Sequence, residues 1–481
     1  MTSAQPVTVL TAAMLIGTLG DTLLRGGTWR LGFLLFVTSL ATAVLVIGRR
    51  GTRERNWLVA GVVLAATGLV LRESELLYVI DMLSVLGVGA LLICHGAGTS
   101  LTTLHAVNVP RIGVLAVLNS VGGAPRVIGR SVATDGDGER RSQTLRALLI
   151  GVALALPPLA VVTMLLASSD PVFNALLERI FAISAVTHVL FALLLAWCAA
   201  GWLRAALGDA IGASIPEFRA PALPFTTISV VLYALLALLG VFIATQGRVL
   251  FGGEAFLQAT QDMSIATYAR RGFFEMILAS GVVLTTLVIA EWLLPRDDDD
   301  AHLRYRRLAI ALLVLVAAVL ASAAARIGLY VDRFGLTTDR VLASAVIVWV
   351  VGALVLFGAT TARRRPAQLM PAVIGMTVIW VILLNVINPE LLVVRANVAR
   401  ARSGATFDVP YHVALSADAL PALVESAARL GVVGCRQLQA GLLAEQTKRR
   451  VLHDAADWRS TSLPARRAAG WYARAAAIRC T

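Results

Sequence analysis

The chain has 481 residues, 58% apolar and only 15% charged, with a formal net charge of +13 and a mean hydropathy of +0.79. A soluble globular chain is about 45–50% apolar and about 25% charged. Too few charged residues exist here to cover a soluble enzyme, and the apolar excess covers too much of the length for a single-span receptor; many membrane spans are implied.

A hydrocarbon core of about 30 Å takes about 20 residues of helix. On that rule eleven spans are predicted, at 7–24, 29–48, 56–71, 76–95, 145–167, 180–203, 225–246, 273–294, 308–330, 341–361 and 369–387. The chain then divides into a four-span segment over 1–95, a mobile cytoplasmic loop over 96–144, a seven-span core over 145–387 and a helical tail domain over 388–481. In the loop, Gly122-Gly123 and the run Asp135 to Arg141 cannot bury a core, and Pro110 and Arg111 break its more apolar middle.

Of the 42 basic residues all but Lys448 are arginine, which with the Ala, Leu, Val and Gly usage fits a GC-rich bacterial genome. The arginines sit at the ends of apolar runs, as topology signals do, rather than on one soluble face as in a nucleic-acid binder. Loops after even-numbered spans hold nineteen arginines against ten in the others. The richer set faces the cytoplasm by the positive-inside rule. The expected location is the bacterial inner membrane, with the N-terminus cytoplasmic and the C-terminus extracytoplasmic; one span more or fewer would reverse the tail.

The tail reads as three helices. Ser416 to Leu430 carries Leu420, Leu423, Val424, Ala427 and Leu430 on one face, a second stretch covers 435–456, and a third follows Pro464. The cysteines, Cys94, Cys198, Cys435 and Cys480, show no CxxC spacing, so no metal site is expected. An exported tail would put Cys435 and Cys480 in an oxidising compartment, where pairing becomes available; the spacing leaves the paired and unpaired readings both open.

Ionisable groups at membrane depth cost a few kcal/mol unless they pair or line water, which makes them functional candidates. Asp21 lies at the end of the first span with Arg25 one turn on, and His188 among apolar residues reads as a core histidine. Arg326 needs a carboxylate or an aqueous cavity. Arg271 and Glu275 lie at i, i+4 where span eight begins, close to Arg270. Tyr330, Asp332 and Arg340 frame the connection between spans nine and ten, and Asn388 leaves span eleven. In the expected topology Arg270, Arg271, Glu275, Arg326, Tyr330, Asp332, Arg340 and Asn388 form one outer polar layer. Its two readings are a site for an anionic ligand or partner segment, and an anchor layer fixing helix depth.

No HExxH, GxSxG, Walker or GxGxxG stretch occurs in a suitable setting, so no catalytic residue and no cofactor is expected. Several stretches in order carry a likeness: Leu19 to Gly27, Ser169 to Phe173, Tyr268 to Glu275, Tyr330 to Arg340, Asn388-Pro389 and Leu415 to Leu423. Together they resemble the bacterial membrane proteins designated domain of unknown function 4153, or the related 4173. The resemblance implies a polytopic inner-membrane protein and supplies no activity to carry over. Phe334 departs from the pattern, which has Tyr before Gly-Leu-Thr.

The reading is an all-α, polytopic transmembrane bundle with a small C-terminal helical domain. It is a non-enzymatic membrane component whose partners are membrane lipids and an envelope protein or anionic ligand, not nucleic acid. The rivals are a transporter or channel, and a lipid-handling enzyme using Glu275 or Asp332 as a base.

Overall fold

The computed structural model describes residues 6–25, 28–48, 52–101, 104, 108–132, 184–210, 222–261, 273–295, 297–453 and 457–480, with single positions and short runs between 151 and 175. Among these residues every regular element is a helix. Nine helices among the described residues are long and apolar enough to cross a membrane, and they match nine of the eleven expected spans. Of the other two, Leu31–Ile47 is a shorter apolar helix, and the span expected over 145–167 lies almost entirely outside the described residues. The chain forms two compact units, one of residues 1–103, 109–216 and 451–466, the other of 104–108, 217–450 and 467–481.

The first unit contains α1 (Pro6–Leu24), α2 (Leu31–Ile47), α3 (Arg53–Leu71), α4 (Glu75–Gly96), α5 (Val109–Gly122), α6 (Ala124–Val132) and α7 (Ser184–Ala206). Small residues bring α1 and α7 close: a Cβ on Gly17 would lie 2.4 Å from the Ala192 carbonyl and 2.5 Å from the Ala196 Cβ. Such contacts let two apolar helices associate where no hydrophobic force separates protein from lipid. At one end of the unit, buried Arg30 donates to the carbonyls of Leu69 (3.2 Å), Arg72 (2.7 Å) and Glu73 (3.0 Å), tying the start of α2 to the end of α3. At the other end, Thr52 caps α3, and its hydroxyl lies 2.8 Å from His95 Nε2 at the end of α4. The start of α7 sits with the end of α1, whereas its last turn approaches Gly96, where a Cβ would come within 1.9 Å of the Ala205 carbonyl. The chain therefore leaves α4 at one end of the unit and enters α7 at the opposite end.

Residues 109–132, expected as part of a mobile loop, form α5 and α6 and pack on α7. Pro110 does not break α5. It sits in the first turn, where its missing N–H is one of those a helix leaves unbonded anyway. Gly123 and Gly201 let the end of α5 approach α7: a Cβ on Gly201 would lie 2.3 Å from the Asn119 carbonyl. Leu115 and Asn119 are buried there. The charged part of that expected loop, 133–144, lies outside the described residues.

The second unit contains α8 (Phe225–Gln261), α9 (Phe273–Leu293), α10 (Asp299–Phe334), α11 (Thr338–Ala362) and α12 (Leu369–Ile387). Leu232, Leu287, Leu312, Val316 and Phe357 fill its membrane core. Tyr305, 1% exposed, donates its hydroxyl to the Leu287 carbonyl (2.7 Å) and holds α10 to α9. Trp380 and Trp349 join α12 to α11 through the Ala345 carbonyl (3.1 Å) and the Thr377 hydroxyl (3.0 Å).

The tail adds α13 (Pro389–Arg402), α14 (Val409–Val413), α15 (Leu420–Ser426), α16 (Gly431–His453) and α17 (Leu463–Ala476). The three expected helices correspond to α15 with its following 3-10 turn, α16 and α17; α13 and α14 were not expected. Gly431, at φ 70°, ends the 3-10 turn, as the stop signal there requires. Val393, Val394, Leu415, Leu420, Leu423, Leu438, Leu442 and Tyr472 form a second core that also takes in Val341 of α11. Cys435 and Cys480 are joined within it by a disulfide, with Cα atoms 5.7 Å apart.

Candidate functional site

The end of the second unit that carries the tail is built around the turn between α10 and α11. Gly335 closes α10 at φ 81°, and a Cβ there would lie 2.6 Å from Arg400 Nη1 and 2.7 Å from Asn397 Oδ1. Only glycine meets both demands, left-handed backbone and close approach.

Asn397 of α13 clasps the next residue. Its Oδ1 accepts from the Leu336 amide (2.8 Å), and its Nδ2 donates to the Leu336 carbonyl (2.7 Å). The same Nδ2 lies 2.9 Å from Nε2 of His412, which is 2% exposed. His412 Nδ1 sits 2.6 Å from the Asp408 carbonyl, so the proton belongs on Nδ1 and Nε2 accepts from Asn397. Burial lowers the His412 pKa, against the opposing pull of Asp408, and the Phe407 ring stacks on the imidazole at 4.1 Å. The hydroxyl of Tyr411 accepts from the Thr338 amide (3.0 Å), satisfying an amide at the start of α11 that has no partner within its helix. Arg400 donates to the Asp332 carbonyl (2.6 Å).

Three of the sequence-derived candidates meet at this turn. Arg340 lies over the Tyr330 ring at 4.2 Å and donates to the Gly335 carbonyl; Tyr330 packs on exposed Phe334 at 4.8 Å. Asp332 contributes its backbone carbonyl, while its side chain is exposed. Asn388 stands at the junction of α12 and α13, at φ 56°, accepting from the Leu391 amide (3.2 Å) and donating to the Asp418 carbonyl (3.4 Å). Beside it, buried Glu390 accepts from the Ser416 amide (2.8 Å) and hydroxyl (2.5 Å). Arg326 is buried within α10, two helical turns before the turn region. Glu275 is exposed in the first turn of α9, and Arg270 and Arg271 lie outside the described residues.

Sequence reasoning missed Asn397, Arg400, Tyr411 and His412. A signal was present for the first: Val393, Val394, Asn397 and Val398 share one helical face, so a polar amide falls on an apolar stripe. The described residues contain no group of three or more His, Cys, Asp or Glu side chains able to hold a metal ion.

The first unit carries a separate polar cluster. Asp21, 7% exposed, accepts from Arg25 (3.1 Å) through Oδ1, and its Oδ2 lies 2.5 Å from His188 Nδ1. Arg25 also donates to the Thr187 hydroxyl. Nearby, Arg459 of the tail donates to the Thr22 carbonyl and to Asp457. That hydrogen bond holds the Asp457 carboxyl below its usual range.

The described architecture is that of a multi-pass, all-α membrane protein. A family described as "Domain of unknown function (DUF4153)" matches residues 59–426, well over half of the sequence, and the chain belongs to that family. The match spans the α10–α11 turn and the residues that clasp it, and stops short of Asp21 on one side and of both disulfide cysteines on the other. No curated protein and no solved structure matches the chain.

Proposed function

We propose that this is a non-enzymatic component of the bacterial inner membrane, with its N-terminus cytoplasmic and an extracytoplasmic tail domain that binds an envelope partner or anionic ligand. The observation that carries the reading is the clasp of the α10–α11 turn by Asn397, Arg400 and Tyr411, which builds the tail on one end of the second unit. A domain so tied presents a fixed surface at a membrane face, as a recognition module needs. The disulfide supports an oxidising compartment for that face. Within the first unit, Arg459 bonds to the end of α1 away from Pro6, which supports opposite sides for residue 459 and the N-terminus.

Charge supports the ligand class. Residues 388–481 contain thirteen Lys and Arg against seven Asp and Glu, and Arg402, Arg429, Arg436, Arg466, Arg467 and Arg474 are exposed. Such a surface attracts anions in a salt-dependent way. The test pairs alkaline-phosphatase and green-fluorescent fusions after Thr481 with binding of the intact protein to immobilised polyphosphate. An active phosphatase, together with binding that falls in Arg466→Gln/Arg467→Gln/Arg474→Gln, is the expected result. A fluorescent fusion without phosphatase activity removes the extracytoplasmic reading, and binding indifferent to those arginines removes the anion reading.

A further inference from the structure

The Asp21–His188 cluster lies outside the tail and is not used by the function proposed above. Its geometry is that of an oriented imidazole: a buried carboxylate accepts from Nδ1–H at 2.5 Å, so Nε2 is left as an acceptor. The His188 side chain is 50% exposed and is paired with Asp21. Arg25 has a side chain 31% exposed and uses two of its five donors on Asp21 and Thr187.

The surroundings decide what such a group meets. On α7 the neighbouring Val189, Leu190 and Leu194 are 57%, 43% and 50% exposed, and on α1 Leu19 is 43% exposed. Exposed aliphatic side chains on helices of spanning length face acyl chains, so a ligand reaching His188 comes from the bilayer. The close contacts of Gly17 and Gly20 with Ala192, Leu195 and Ala196 fix α1 against α7, and with them Asp21 against His188. An ionisable pair held on a lipid-facing surface costs a few kcal/mol unless something at that depth uses it.

We propose that Asp21, Arg25 and His188 form a binding site for a phospholipid whose phosphodiester headgroup ends in a free hydroxyl. The headgroup hydroxyl donates to His188 Nε2, and the phosphate takes the remaining N–H groups of Arg25. Asp21 is a positioning residue: it holds the imidazole with Nε2 outward and neutralises Arg25, so that the empty site is not a bare cation in an apolar surface.

The test uses the full chain in nanodiscs and reads ethoxycarbonylation of His188 by diethyl pyrocarbonate, with His302 as internal reference, by peptide mass spectrometry. Nε2 acquires the ethoxycarbonyl group and ethyl carbonate departs, so an occupied Nε2 reacts slowly. Three bilayers are compared: phosphatidylcholine alone, and phosphatidylcholine mixed with phosphatidylglycerol or with phosphatidylmethanol, which is anionic but has no headgroup hydroxyl. Phosphatidylglycerol should slow the reaction at His188 by about fivefold, the worth of one hydrogen bond, and phosphatidylmethanol should not. Equal slowing by both anionic lipids, equal rates in all three, or no reaction at His188 overturns the proposal. In Asp21→Asn the selectivity for phosphatidylglycerol should disappear; its survival would remove the positioning role of Asp21. The wild-type comparison decides the site even if that variant does not fold.

Discussion

Replacing Asn397 by leucine keeps the branched shape and removes every hydrogen bond that Asn397 contributes to the clasp. Three groups then lose their partner: the Leu336 amide, the Leu336 carbonyl and His412 Nε2. A buried group left unsatisfied costs about 1–3 kcal/mol. Leu336 is half-buried, so water can replace part of its loss, whereas His412 is 2% exposed and bears nearly the full cost. Taking the low end for all three gives about 3 kcal/mol, or roughly a hundredfold in the local opening equilibrium. The assay is amide exchange in detergent micelles, read as protection factors over residues 331–341 and 389–402, because local opening there need not unfold the bundle. Ser344→Ala, which removes an exposed hydroxyl bonded within its own helix, serves as the neutral reference. Asn397→Asp should fall between: it keeps an acceptor for the Leu336 amide, loses the donor to the carbonyl, and regains a partner when His412 is protonated. Protection in Asn397→Leu equal to wild type over both segments would refute the idea that this amide holds the tail to the turn.

Three further outcomes follow from the same structure. The disulfide closes a sequence separation of 45 residues, worth up to about 4 kcal/mol in the chain-entropy treatment, so reductant should lower the melting temperature of the wild type and leave Cys435→Ser unchanged. The depressed pKa of His412 means that the unfolded chain binds the extra proton first. Its contribution is present above the ordinary histidine range and is lost as pH falls from about 6.5 through the lower folded value; His412→Gln should flatten that part of a melting-temperature profile, and an unaltered profile would show that another group is responsible. Gly17→Ala should destabilise the first unit by about 1–3 kcal/mol through overpacking against Ala192 and Ala196, whereas Gly61→Ala, whose nearest neighbour would be at 3.5 Å, should melt close to wild type.

What could be read from the chain follows the length scale of each interaction. Spans are legible because lipid imposes about 20 apolar residues in a row, and nine of the eleven expected match spanning helices among the described residues. The loop expected over 96–144 fails at α5 because proline and glycine were read as breakers, when Pro110 occupies a first turn and Gly123 allows a close crossing. Asn388-Pro389 was visible only as the exit from a span, although an amide cap followed by proline also starts a helix, which is what α13 does. Within the candidate layer, Tyr330 and Arg340 meet because they bracket one short turn. The partners of that turn come from 61 to 73 residues away, at Asn397, Arg400 and Tyr411, and no local pattern announces them. His188 read as a satisfied core histidine because its neighbours are apolar; the carboxylate that orients it is 167 residues distant.

The side of the membrane on which the tail lies was tied, from sequence, to whether the span count is odd, and a single missed helix would reverse it. The bond from Arg459 to the Thr22 carbonyl changes the dependence. Thr22 is in the last turn of α1, and the N-terminus is at the other end of that one helix. Within the first unit, residue 459 thus lies at the opposite end of that helix from Pro6, and an error in counting the helices between them does not change this. The path of the chain agrees, since it leaves α4 and enters α7 at opposite ends of the first unit. Arginine counting is left with a smaller task, to say which face is cytoplasmic. On the extracytoplasmic reading of the tail, reporters fused before Met1 and after Thr481 should give opposite signals in the same cells. Identical signals would overturn the extracytoplasmic reading of the tail, and the disulfide argument with it.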